Sequence, residues 1–513
     1  MEDDKHETKK NFTVRYLTTD DLEQYDTLLR YSFQVTEQDL FDTGWRSDEM
    51  QQSKFPVLER ADVLGCFDGD YLVSQVAVYP LRANIYGVFY PIGFVTSVCT
   101  YPEYTGNGIM KRLMYQSLVH MRERRQPFAM LFPYSIPLYR KLGWEIISDK
   151  ITYTVKDRQM PSNAEAPGFV RRVDWDNEDF MRLHERFASV THGCLFRNSL
   201  AWEEYWRWDK DDTVVAIYYD VQNTPSGYMV YLIKDDIMYI KEMIYLNREA
   251  QEGLWEYIRA HDSMIDEGHG NSYYNEPIAF DMDDGDIREM IRPYIMGRIV
   301  DVEQFLLLYR CDPREKGVCF ALEITDSFLP WNNRTVSVRF EKGRCSLTEE
   351  TAQYRVGLSI STLSTLLLGY KTAAKLYRLG RIDADEAGLP AHDFRTGIRP
   401  SVPRYKQEAA RPQSDARLLL FMSGLLFAQV YLLQPHPQLQ SPAFGGKNSS
   451  VGKSILRKSS QGLSLEVTHS FSGTQKSNAG ISICTLRTIC TIVKRPIVTY
   501  TVFFCGAVSN APP

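Results

Sequence analysis

The stretch YPEYTGNGIMKRLM, Tyr101 to Met114, constrains the architecture most, because a β pattern ends and a helical one begins across two glycines. Upstream, DVLGCF (62–67) is a short apolar run, DGD (68–70) a turn signal and YLVSQVAVYPL (71–81) a half-alternating strand. NIYGVFYPIGFVTSVCT then turns at Gly87 and ends in a β-rich run from Gly93 to Thr100. Downstream, Ile109, Leu113, Leu118 and Met121 recur at close to helical spacing. FAMLF (128–132) reads as a buried strand, SIPLYRKLGW (135–144) as a short helix closed by Gly143, and EIISDKITYTV as another strand. Residues 12–155 thus predict β-meander, loop, helix, strand, short helix, strand, an α/β layered unit. A strand-to-helix junction of this kind offers backbone N–H groups and the positive end of a helix dipole to an anion. Glycines there also serve as plain turns, since glycine reaches φ > 0 without strain, so the loop alone leaves both readings open.

Residues 165–290 repeat the order more faintly. SLAWEEYWRW (199–208) reads as a helix with Ser199 as its cap. Strands follow at TVVAIYY and GYMVYLI around a turn near Pro225–Gly227, then IMYIKEMIYL and the helix AQEGLWEYIRAH. The junction into that helix, LNREAQEG, has no glycine pair and carries two glutamates, so it is expected to hold no pyrophosphate. Residues 295–390 combine the strands GVCFALEIT, RTVSVRFEKG and CSLTEE with helical packing over 358–382, a small α+β module. In it, Leu363–Leu368 reads as a core helix, with a lipid-lining wall as the alternative.

Charge separates the body of the chain from its tail. Residues 1–390 sum to −16 and residues 391–513 to +10, with net −6 over 513 residues. An acidic body disfavours nucleic acid and steers cations. After about Pro390 acidic residues nearly vanish, serine rises and GGKNSSVGKSILRKSSQG has no periodicity, which predicts an atypical tail, disordered or poorly specified. The apolar stretch Leu418–Pro435 approaches the length of a membrane span but contains Gly, Ser and two Gln, and no membrane association is expected. Nine scattered cysteines without a C-x-x-C pair, nine histidines without a ligand pattern and the charged start MEDDKHETKKNF suit a reducing, cytoplasmic setting and offer no metal site.

Tyr139 follows the strand 128–132 on the short helix. Its plain reading is a packing residue with its hydroxyl satisfied. Taken with the loop, however, V-x-T-x-P-E-Y-x-x-x-G-I-M (98–110) and I-P-L-Y-R-K-L-G-W (136–144) resemble the acetyl-CoA-binding half of a Gcn5-related N-acetyltransferase, or GNAT. The three-part order is similar to that of the Eis-type (enhanced intracellular survival) acetyltransferases. MGRIVDVEQFL and LPWNNRTVSVRF resemble the opening segments of their sterol-carrier-like domain. The resemblance covers about residues 12–390. It implies tandem GNAT-like acyl-CoA N-acyltransferase domains, the second degenerate, followed by a sterol-carrier-like α+β domain. The boundaries it suggests are 12–155, 156–292 and 293–390, with 391–513 as the tail.

The resemblance also implies roles. Val98, Cys99 and Thr100 would pair with the pantetheine arm of acetyl-CoA, the co-substrate. Gly106, Asn107, Gly108, Ile109, Met110 and Lys111 would form the pyrophosphate loop, with Gly108 on the family's central glycine. Tyr139 would be the general acid for the departing thiolate, and a backbone N–H near Val98 would meet the oxyanion. The acceptor would be a primary amine: a polyamine, an aminoglycoside-like compound or a lysine side chain. Relatives suggest a homo-oligomer, a hexamer among the forms.

Two departures from the family pattern stand out. The family's basic residues before the central glycine are here Thr105, Gly106 and Asn107, leaving Lys111 and Arg112 as partial substitutes. In Eis-type enzymes a C-terminal aromatic carboxylate acts as base, whereas this chain continues past AHDF to Ala-Pro-Pro. The alternative expectation is therefore a CoA- or lipid-binding assembly protein whose catalysis was impaired with that carboxylate.

Overall fold

A computed structural model describes residues 12–384, except 162–165, 209–210, 273–275 and 312–316, together with backbone strands between 466 and 503. The first unit runs β1 (Phe12–Tyr16), α1 (Leu22–Phe33), α2 (Glu37–Asp42), α3 (Ser47–Gln52), α4 (Phe55–Arg60), β2 (Asp62–Asp68), β3 (Tyr71–Ile85), β4 (Val88–Thr100), α5 (Ile109–Glu123), β5 (Phe128–Leu131), α6 (Ile136–Arg140) and β6 (Glu145–Lys156). The second runs β7 (Phe169–Val173), α7 (Glu178–Val190), β8 (Leu195–Phe196), α8 (Ser199–Trp206), β9 (Val214–Tyr219), β10 (Pro225–Lys234), β11 (Ile237–Tyr245), α9 (Arg248–Arg259), β12 (Glu267–Ser272) and β13 (Arg288–Ile299). The third holds α10 (Val302–Leu308), β14 (Val318–Thr325), β15 (Thr335–Glu341), β16 (Arg344–Leu347), β17 (Tyr354–Ser359), α11 (Ile360–Leu367), α12 (Ala373–Arg378) and β18 (Ile382–Ala384).

The first two units share one sheet, ordered β1-β2-β3-β4-β5-β13-β6-β12-β11-β10-β9-β7, with β8 added on β3. They are joined by an exchange. β13 pairs antiparallel with β5 of the first unit, while β6 pairs with β12 of the second. A boundary at 292/293 therefore falls inside β13. The third unit is a separate five-stranded sheet, β16-β15-β14-β17-β18.

Helix α5 explains how the first unit packs. It buries Ile109, Leu113, Met114, Leu118 and Met121 along one stripe, the spacing that lays an amphipathic helix on a sheet. Mid-strand Gly93 permits this contact, since a Cβ there would stand 2.6 Å from the Met121 sulfur and 2.7 Å from Val78. On the sheet's other side α1 buries Leu22, Tyr25 and Leu28 in a larger core that continues through Phe305, Phe320 and Leu363 into the third unit.

Three features depart from expectation. Residues 22–60 carry four helices where no helix was anticipated; three are only six residues long, too short to display a periodicity. Asn198, not Ser199, caps α8, accepting from the Ala201 N–H at 3.0 Å. The turn before β10 lies at Asp220–Thr224, with Pro225–Gly227 already in the strand at a register shift. As expected of a core helix, Leu363, Leu367 and Leu368 are buried in the shared core.

Beyond residue 432 a second compact unit contains antiparallel backbone strands Glu466–Phe471, Thr485–Ile492 and Arg495–Phe503, with Gln475–Lys476 paired to Ser482–Ile483. The Leu418–Pro435 stretch and the rest of the tail lie outside the described residues. Among the described residues no helix is long and apolar enough to cross a membrane, and no group of His, Cys, Asp and Glu converges as a metal site.

Candidate active site

The site begins where β4 and β5 part. Their parallel pairing covers only Ile92–Val95 against Phe128–Leu131. After Leu131 the chain leaves toward α6, while β4 runs on to Thr100 with β3 alone beside it. Backbone groups along 96–100 consequently face a wedge rather than a neighbouring strand. The register between β3 and β4 slips here, from Ala77↔Thr96 to Gln75↔Cys99, so Ser97 and Val98 together oppose Val76. Ser97 adopts φ 52°, the geometry of a bulge that re-aims the backbone next to a site. Two residues fix this kink. Tyr25 of α1 and Ser97 share a hydrogen bond between their hydroxyls at 3.2 Å. Ser74 donates to the Cys99 carbonyl at 2.8 Å and meets the Thr100 hydroxyl at 2.7 Å. Val98 and Thr100 are half-buried, and Cys99 is buried between them.

The loop from Tyr101 to Gly108 holds its own shape. Tyr104 donates to Asp68 at 3.0 Å, Thr105 to the Pro102 carbonyl at 2.7 Å, and Asn107 to the Tyr104 carbonyl at 3.1 Å. Gly106 and Gly108 take φ +84° and +71°, conformations that L side chains rarely adopt. Gly108 is the N-cap of α5 and, having no side chain, leaves the N–H groups of Ile109, Met110 and Lys111 without a side-chain cap. Lys111 is exposed in that first turn. Arg112, anticipated as a substitute charge for the loop, instead reaches the Phe12 carbonyl on β1 at 3.4 Å. In the second unit the matching helix differs. Asn247 caps α9 by accepting from Ala250 N–H at 2.8 Å, and Glu249 lies in its first turn, so that terminus is already satisfied and repels anions.

Tyr139 lies on α6 with 5 % of its surface exposed, in one cluster with Ile109 and with Val98 and Met110 packed against it. Its ring meets Trp144 edge to face at 6.2 Å. Burial, and then the nearby Cys99 thiol, push the phenol up to about 12, and burial pushes Cys99 itself to about 12. Both groups are thus neutral near pH 7. The fold brings the sequence-predicted residues together: the end of β4, the glycine loop, the start of α5 and Tyr139.

Sequence reasoning missed the groups on the other side of the bulge. Asp26, Lys54, Glu204 and Arg207 are all buried there, drawn from α1, the α3–α4 junction and α8. Glu204 pairs with Arg207, and Arg207 also donates to the Ser53 carbonyl at 2.8 Å. Burial, and then Arg207, lower the Lys54 ammonium to about 8. Burial raises the Asp26 carboxyl, whose Oδ1 has no hydrogen-bond partner among the described residues. Two acids and two bases nearly cancel, so this cluster by itself supplies little net attraction for a polycation. No sequence pattern flags it, because its members lie up to 181 positions apart.

A direct test of the loop is Gly108→Asp. The new carboxylate would stand at the helix terminus, in a left-handed position that Asp tolerates better than most side chains, and oppose a phosphate there. The KM for acetyl-CoA is expected to rise about tenfold, with kcat largely kept. Steady-state kinetics against acetyl-CoA measure this, and an unchanged KM would remove the loop from donor binding.

Comparison with known proteins identifies the domains that carry this site. Residues 13–147 and 193–299 each match an acetyltransferase (GNAT) domain, and 302–401 match a sterol carrier protein domain. An uncharacterized N-acetyltransferase of Streptomyces griseus is 22% identical over 400 residues, 70% of this chain and 93% of its own length. Another from Streptomyces avermitilis is 22% identical over 372 residues, 67% of this chain and 88% of its own. A conserved protein of unknown function from Enterococcus faecalis, described as a probable N-acyltransferase, superposes with TM-score 0.69 at 26% identity, covering 76% of this chain and 97% of that one. Eis1 of Mycobacterium abscessus shares the fold with TM-score 0.61 at 21% identity, over 76% and 99% of the two chains.

Proposed function

Because this enzyme joins two GNAT acetyltransferase domains to a sterol carrier protein domain, we propose that its first domain moves an acetyl group from acetyl-CoA directly to a primary amine. The uncapped turn from Gly106 to Lys111 receives the pyrophosphate through backbone N–H groups. The open side of β4 at Val98, Cys99 and Thr100 hydrogen-bonds the pantetheine arm. A backbone N–H by the Ser97–Val98 bulge faces the thioester oxygen as it gains charge. Tyr139 gives its proton to the leaving thiolate. One observation carries the reading: a buried phenol beside Cys99, where the β4–β5 wedge opens and α5 presents an uncapped end. The second domain holds no donor, since Asn247 and Glu249 occupy its helix terminus. Polyamines, aminoglycoside-like compounds and lysine side chains are the acceptors that the −16 charge of residues 1–390 favours.

The test is release of free thiol from acetyl-CoA in the presence of a polyamine panel. Amine-dependent release with acetylated product supports the assignment, and no turnover by folded protein with any amine overturns it. Its pH dependence is also fixed. A general acid that stays protonated up to about 12 brings no falling limb in the ordinary range. An acceptor ammonium near pKa 10 must lose its proton to attack, so kcat/KM is expected to climb from pH 6 to 9 without a downturn. Initial rates across that range check the sign, and a decline below pH 9 would point to a different acid.

A further inference from the structure

Helix α6 has five residues and cannot hold itself in place. The Tyr139 hydroxyl has no hydrogen-bond partner among the described residues, so the position of the phenol depends on where the helix sits. Two ties run to it from outside the first domain. At its C-terminal turn Gly143 takes φ +82°, and a Cβ there would collide with the Arg298 guanidinium. Arg298 donates to the Leu142 carbonyl in that turn and, through its other terminal nitrogen, to Asp326 of the third domain at 2.6 Å. The second tie comes from Arg381 of the third domain and runs through Glu145, the first residue of β6. Its Oε1 accepts from Arg140 of α6 at 2.7 and 2.9 Å and from the Ile146 N–H at 3.0 Å. Its Oε2 accepts from Arg381 at 2.7 Å. Arg381 is anchored in the third domain, with its N–H on the Leu376 carbonyl at 2.9 Å and its Nε on the Thr362 hydroxyl at 3.3 Å.

We propose that the third domain acts as a brace on α6, and that Arg381, through Glu145 and Arg140, is a positioning residue for Tyr139. The role given to Tyr139 rests on the acetyltransfer reading above; the brace itself does not. The Glu145 side chain is 5 % exposed, while Arg140 and Arg381 are 47 % and 40 % exposed. Two half-solvated arginines therefore cover one buried carboxylate from opposite domains. Removing Arg381 leaves Glu145 bonded to Arg140 and to Ile146 N–H, so no buried charge is stranded and the fold survives. What is lost is one of the two links that couple α6 to the third domain; the Arg298–Asp326 link at its C-terminal turn remains. Misplacement of a reacting group by an ångström or less is enough to slow a positioned proton transfer.

The experiment uses full-length protein with Arg381→Gln, Arg381→Lys and, as control, Arg378→Gln on the exposed face of α12. Lysine keeps the single bond that Arg381 makes to Glu145 and should rescue. For Arg381→Gln the expected result is a fall of about tenfold in kcat, with the KM for acetyl-CoA within about twofold of the parent. Amide hydrogen exchange should quicken in peptides covering 136–144 and stay as in the parent within the strands of the third domain. The lysine variant and the Arg378 control should match the parent. Unchanged exchange at 136–144, unchanged kcat despite faster exchange, or faster exchange spread over the third domain would each overturn the proposal. If the parent protein transfers no acetyl group, the acetyltransfer reading fails, while exchange at 136–144 still decides whether the brace exists.

Discussion

Replacing Tyr139 with phenylalanine is expected to lower kcat about 100-fold and leave the KM for acetyl-CoA within about twofold. The substitution removes one hydroxyl from a ring that otherwise packs against Trp144 and the α5 cluster. Because the hydroxyl bonds no other described residue, little stability is lost with it. What goes is the proposed acid function. The departing group is a thiolate, which leaves without help far better than an alkoxide, so the loss belongs at the low end of the usual range for a general acid, about 10²–10⁴-fold. Thiol release at saturating amine and acetyl-CoA, with the thermal midpoint measured alongside, separates this from damage to the fold. A kcat within a factor of three of the parent would remove Tyr139 from the chemistry.

Arg298→Ala is expected to destabilise the protein by about 3–5 kcal/mol, the usual cost of breaking a buried ion pair on one side. Both partners are essentially inaccessible, with side-chain exposures of 0 % for Arg298 and 1 % for Asp326. Asp326 also accepts from the N–H groups of Phe328 and Leu329 at 3.0 Å, so it stays in place as a buried charge when the guanidinium goes. The Leu142 carbonyl loses its donor as well. Lysine should not rescue, because two different guanidinium nitrogens serve the carbonyl and the carboxylate, and one ammonium cannot span both. Denaturant unfolding gives the shift in midpoint. A loss under about 1 kcal/mol would mean that water or rearrangement replaces the lost donors.

These two residues differ in how far the sequence announces them. Tyr139 is legible: it follows a buried strand on a short helix that Gly143 closes, and Gly143 indeed takes the left-handed conformation. The glycine loop, the stripe on α5 and the β-rich run into Thr100 are legible for the same reason. Each is a local preference of backbone or periodicity, expressed within a few residues. Arg298 gives no such signal. It sits in a strand beside Ile299 and Met296, and nothing in its neighbours tells that it contacts Leu142, 156 positions earlier. Three of the four helices between residues 22 and 60 were missed for a related reason: six-residue segments stabilised by tertiary contact carry too little periodic information.

By itself, then, the sequence determined the succession of an α/β unit, a fainter repeat and a small α+β module. It also determined the strand-to-helix junction at Gly106–Gly108, because turns, caps and amphipathic stripes are short-range properties. Only the tertiary structure decided the rest. It placed β13 between β5 and β6, opened the wedge past Val95, set the Ser97 bulge under Tyr25 and carried Arg381 to Glu145. Each of these joins residues tens to hundreds of positions apart. Strand exchange and buried charge pairing are set by what packs against what, and that is fixed only when the chain closes on itself.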